Sequence, residues 1–159
     1  MTRLYGRAKS GQRVVDDAPA GHWGTTTMIS SIRIDGSTTC MVVDGATNKD
    51  VFGAYVLHIL LPTLRVGDIV VMDNLSAHKD KQTVAMIESV GAKVWFLPPY
   101  SPDLNPIEKM WSKVKQYLRS IKARSQDALI QAIADALDYV SAQDAAGWFE
   151  SCGYRSIIY

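Results

Sequence analysis

The sequence predicts an α/β domain, a mixed sheet with helices packed on it. Three observations carry this. Two Thr-, Ile- and Val-rich stretches, TTTMISSIRI (25–34) and TTCMVV (38–43), are separated by the turn signal DGS, which predicts a β-hairpin. DIVVMD (68–73) is a continuous apolar run of the kind a buried central strand needs. Strand-like runs then alternate with stretches of helical periodicity down the rest of the chain.

After the hairpin, VVDGATNKD leaves the second strand through Gly45. Thr47 with Asp50 three residues on predicts a helix start of the capping-box kind. Val51, Phe52, Tyr55, Val56 and Ile59 follow at helical spacing, and Pro62 closes that helix. Beyond DIVVMD, Val84, Met86, Ile87 and Val90 mark a second helix, with Gly91 as its stop. AKVWFL is a further strand and PPYSPDLNP a loop. From Asn105 a long helix carries Ile107, Met110, Trp111, Val114 and Leu118 on one stripe. Ser125 caps a last helix with Leu129, Ile133, Leu137 and Val140. Trp95 and Trp111 sit in apolar patterns and are expected in the core.

With 159 residues, 47% hydrophobic and 21% charged, the composition is that of a water-soluble globular chain, read as one domain over residues 1–159. A net charge of +1 confines any basic surface to a local patch. Cys40 and Cys152 have no metal-type spacing, and a reducing, cytoplasmic setting is expected. The polar N-terminus has no apolar stretch of signal-peptide type, and no segment is long enough to span a membrane.

Two acids stand out. Asp73 ends the apolar run DIVVMD, where α/β domains place chemistry; it also reads as the start of a turn with Asn74. Glu108 falls at the third position of the long helix, after Asn105 and Pro106. There it reads as half of a capping box. Taken together, acids from a strand end and a helix start suit Mg²⁺, which takes one or two carboxylates plus phosphate oxygens. Two such ions about 4 Å apart can clamp both oxygens of a phosphodiester displacement. At about 100° per residue, Lys115 and Arg119 share the flank of Glu108, placed for phosphates or for the helix dipole. His78, in DNLSAHKD, is a candidate partner of the acid, a phosphate contact, or a loop residue without duty.

GDIVVMDNLSAHK followed by AKVWFLPPYSPDLNPIEKMWSKVKQYLR resembles the DDE catalytic domain of bacterial insertion-sequence transposases of the mariner superfamily. Thirty-four residues separate Asp73 from Glu108, the spacing of the second and third acids there. GQRVVDDAPAGHW, PTLRVGD and CGY extend the resemblance over nearly the whole chain. It implies an RNase H-like fold and Mg²⁺ or Mn²⁺ dependence. It also implies DNA as partner, with cleavage and joining at transposon ends and at target DNA. By the same carry-over Asp73 and Glu108 are catalytic metal ligands. The family's first acid lies on a strand upstream of a segment like TRLYGRAKSGQR, with which this chain begins; that strand, and a helix-turn-helix recognition region, are expected to be missing, leaving the chain alone inactive. Asp16 and Asp17 read as loop residues, and Asp44, closing the hairpin, as a turn residue or a substitute for the first acid. A different class of function also fits: a non-catalytic DNA-binding or dimerising remnant that regulates a full-length transposase. A small-molecule phosphohydrolase fits the two acids but not the long strings.

Overall fold

The computed structural model describes residues 7, 9–12 and 25–154. Asp16 and Asp17 lie outside the described residues. The hairpin forms as expected, with β1 (Thr26–Ile32) antiparallel to β2 (Thr38–Asp44). Gly36 makes its turn possible. It sits at φ 88°, and a Cβ there would stand 2.8 Å from the backbone of Ala142. Only glycine suits both the left-handed conformation and that approach. The period-two alternation sorts the hairpin's side chains. Met28, Ile32, Cys40 and Val42 pack into one core cluster, Ile29 and Met41 into another. The hairpin is thus sandwiched between two helical layers.

The first layer begins with α1 (Lys49–Tyr55). Its cap is Asn48 rather than Thr47: the Asn48 carboxamide oxygen accepts from the backbone N–H of Asp50 and of Val51, both at 2.9 Å, satisfying two orphan donors at once. The helix continues as a π-turn (Val56–Leu60), in which Leu61 N–H donates to Val56 O. Pro62 then ends it within a 3₁₀ turn (Leu61–Thr63). Phe52, Tyr55, Val56 and Leu60 are buried, with Ile87 of α2 (Lys81–Ser89) and Met72 of β3 (Ile69–Met72). The Tyr55 hydroxyl is satisfied by Thr39 at 2.7 Å on the hairpin.

The strand β3 pairs in parallel with β4 (Lys93–Phe96) and, among the described residues, with nothing else. The expected buried central strand is therefore buried on one face. Val70, Met72 and Val94 meet the first layer, whereas Ile69 is 45% exposed and Trp95 is 56% exposed. Trp95 was expected in the core; the second helical layer covers the hairpin, and Trp95 is left in the open. Trp111, half-buried against that layer, is where the pattern placed it.

The second layer is α3 (Pro106–Ile121), α4 (Gln126–Asp138) and α5 (Ala142–Ser151). Met110, Val114 and Leu118 interlock with Ala132, Ile133, Ala136 and Val140. Ser125 caps α4 as expected, its hydroxyl accepting from Ala128 N–H. The helix α5 is one more than the sequence pattern predicts. Its start is a capping box between Ser141 and Asp144, reinforced by Lys113, whose ammonium reaches Asp144 at 2.5 Å. Those contacts hold the Asp144 carboxyl down at about 2. Cys40 and Cys152 are free thiols; burial pushes Cys40 up to about 11. Among the described residues no helix is long and apolar enough to cross a membrane. Among the described residues the architecture is mixed α/β, two small sheets flanked by five helices, consistent with an RNase H-like fold.

Candidate functional site

Asp73 is the first residue beyond β3, anchored by the buried Met72 before it. Its Oδ1 accepts from Leu75 N–H at 3.0 Å, the local bond that turns the chain out of the strand. The same oxygen takes a bond from His78 Nδ1–H at 2.6 Å. The His78 ring is held in turn against the buried Phe52, with ring centroids 4.3 Å apart. Oδ2 has no partner among the described residues. Asn74 donates from its side chain to Leu97 O, and Leu97 N–H donates to Met72 O at 2.8 Å, so the loops leaving β3 and β4 are tied together.

Glu108 arrives from the other side, in the first turn of α3. The capping box expected there does not form. It would require the Glu108 carboxylate to reach back to Asn105 N–H. That donor is already committed to Pro102 O at 3.1 Å by a 3₁₀ turn (Pro102–Leu104). Asn105 makes no side-chain cap bond either. Glu108 is thus exposed and without a hydrogen bond or ion pair among the described residues. Its loop is braced from just beyond α5, where the Tyr154 hydroxyl donates to Leu104 O at 2.9 Å.

Asp73 and Glu108 line one open cleft of about 280 Å³, together with Asn74, Leu97, Tyr100 and Asn105. It lies at the carboxyl ends of the parallel strands, where open α/β sheets bind ligands. A larger cleft of about 330 Å³ beside the hairpin is lined by Arg33, Arg65 and hydroxyl residues and contains no acid. The smaller cleft is therefore the one with the means for metal chemistry. Its two carboxylates and two carboxamides are oxygen donors, the set a hard divalent cation prefers over nitrogen or sulfur. Among the described residues no group of three His, Cys, Asp or Glu side chains converges on a metal-sized site.

The other candidates fall elsewhere. Lys115 and Arg119 are exposed on the Glu108 flank of α3, about 10 and 16 Å further along the axis, outside the cleft lining. Asp44 accepts from the Gln126 side chain at the start of α4 and does not line the cleft. Sequence reasoning missed Tyr100 and Asn105 as cleft residues and Tyr154 as a brace. The proline spacing of PPYSPDLNP was the available signal for the first two.

An α/β fold of this kind hosts many classes of protein, and what the site adds is two acids, one from a strand end and one from a helix start, in one cleft. Comparison with protein families narrows this to one: residues 1–130 match the DDE superfamily endonucleases, and the chain belongs to that family. No curated protein matches it.

Proposed function

We propose that the chain serves metal-dependent cleavage and strand transfer at transposon DNA ends, with Asp73 and Glu108 as its acidic pair. The observation that carries this is their convergence. A strand end and a helix start deliver two carboxylates to one cleft, and Asp73 Oδ2 and both Glu108 oxygens are uncommitted among the described residues. A divalent cation such as Mg²⁺ or Mn²⁺, held there, supplies charge neutralisation and nucleophile activation for phosphodiester displacement. The residues do the rest. His78 positions Asp73 through the Nδ1 bond, and Asn105 keeps the start of α3 turned so that Glu108 is free. Lys115 and Arg119, exposed on the same flank, bind DNA phosphates without reading bases. Two carboxylates make a weak site, so the full catalytic set in this reading takes a third acid from outside residues 25–154.

The test is thermodynamic coupling. Substrate phosphates complete the coordination of a cation held by so few ligands. Duplex DNA should therefore raise Mn²⁺ affinity, and Mn²⁺ should raise DNA affinity by the same factor. Asp73→Asn and Glu108→Gln should each remove the coupling. Coupling that survives in both variants rejects the assignment.

A second reading is a non-catalytic DNA-binding or dimerising partner of an intact transposase. It is favoured by the apolar side chains open on β3 and β4: Ile69, Trp95 and Phe96. Under that reading DNA binding is indifferent to Mn²⁺ and the chain sediments as a dimer.

A further inference from the structure

Tyr100 is unlike every other residue of the cleft. It is fully exposed, at 101% of its reference surface, and its backbone φ is 57°. A bulky residue in the left-handed region is strained, and full exposure returns no burial in compensation. Among the described residues its ring contacts no other aromatic ring and its hydroxyl has no hydrogen-bond partner. The loop that presents it is stiff. Pro98 and Pro99 precede it and Pro102 follows. Ser101 bonds back to Pro99 O at 3.3 Å, and the Tyr154 hydroxyl anchors the far end at Leu104 O. An aromatic ring is thus held at the rim of the acidic cleft on a rigid support, at a conformational cost that no contact within the described chain offsets. Across the cleft Leu75, 56% exposed, offers a second apolar surface.

We infer that Tyr100 is a base-stacking platform, taking the face of an unpaired nucleobase whose phosphate lies at Asp73 and Glu108. This deepens the proposed function and rests on it. Every base has a π-face, so stacking holds a strand in place without selecting sequence. A pre-positioned ring loses little freedom on binding, which makes a rigid loop the economical support for it. The arrangement suits a strand end frayed open at the site of cleavage, since a base within an intact duplex has no free face to offer.

The experiment compares two short single-stranded oligonucleotides by fluorescence anisotropy in Mn²⁺: one with bases, one an abasic sugar-phosphate chain of the same length. The wild type should prefer the base-bearing strand by about tenfold, within the range stacking on an aromatic side chain supplies. Tyr100→Ala should abolish that preference and leave abasic binding unchanged; Tyr100→Phe and Tyr100→Trp should retain it. Because the side chain is exposed, the variants should fold, and Tyr100→Gly, which relieves the strained φ, should raise the melting temperature while losing the preference. Equal binding of both oligonucleotides by the wild type overturns the stacking role alone. So does loss of the preference in Tyr100→Phe, which would make the hydroxyl the contact. If the wild type binds neither oligonucleotide, the stacking role falls together with the DNA reading beneath it.

Discussion

His78 offers a way to perturb the acidic site without touching either acid. It contributes two separable contacts: the 2.6 Å bond from Nδ1–H to Asp73 Oδ1, and the ring packed 4.3 Å from Phe52. A bond to a charged group contributes roughly 1.5–3 kcal/mol and an aromatic pair roughly 0.5–1.5 kcal/mol. The Asp73 side chain is 43% exposed and regains water when the bond is lost, so the low end of the first range applies. His78→Ala should therefore cost about 2 kcal/mol, a fall in melting temperature of roughly 4–8 °C for a chain of this size. His78→Phe keeps the ring against Phe52 and loses only the bond; its stability should recover by about 1 kcal/mol. Metal affinity should not recover. A carboxylate ligand freed from its hydrogen-bonding partner typically loses about 10- to 100-fold in affinity. Calorimetric Mn²⁺ titration of the three proteins separates the effects. Wild-type affinity in His78→Phe would refute the positioning role; recovery of affinity together with stability would show that only packing matters.

Other sites respond through different physics. Met110 is fully buried at the contact of α3 with α4, and Met110→Ala should cost about 2–5 kcal/mol in urea unfolding. The Asp144 carboxyl is depressed from 3.8 to about 2, first by Lys113 and then by Ser141, so its stabilising contribution is present above pH 3.8 and is lost as the pH falls through about 2. Lys113→Met should move that acid transition of α5 to higher pH, as followed by circular dichroism. Lys115→Ala should weaken DNA binding equally for every duplex and reduce the salt slope by about 1, which anisotropy at several salt concentrations measures.

Local chemistry explains what was legible in the sequence. The hairpin followed from its Thr-, Ile- and Val-rich stretches and DGS, α2 from its apolar spacing and Gly91, and α3 from a stripe ending in Leu118. The π-turn at Val56–Leu60 was invisible because its apolar residues continue a helical pattern. The helix α5 was missed because its apolar stripe is diluted by Ala and Gly, although Ser141 and Asp144 stand at capping-box spacing. Asp73 and Glu108 were legible as acids at element ends. Their sharing of a cleft was not, since it depends on how α3 packs against the strand ends. Glu108 illustrates the limit well. Its position in the helix argues for a cap, and only the competing bond from Asn105 N–H to Pro102 O decides otherwise. Trp95 shows the converse: an aromatic residue in apolar company reads as core and stands in solvent.

The central claim is that Asp73 and Glu108 hold one and the same cation. Paramagnetic broadening of backbone amide signals by Mn²⁺ tests it directly, since the effect falls steeply with distance. In the wild type, signals of Asp73 to Leu75 and of Ile107 to Lys109 should broaden together over a single titration. In Asp73→Asn the broadening at Ile107 to Lys109 should vanish as well, although that segment is unaltered, and Glu108→Gln should likewise abolish it at Asp73 to Leu75. Broadening that persists at one acid after the other is removed would mean two independent weak sites, and would contradict the account.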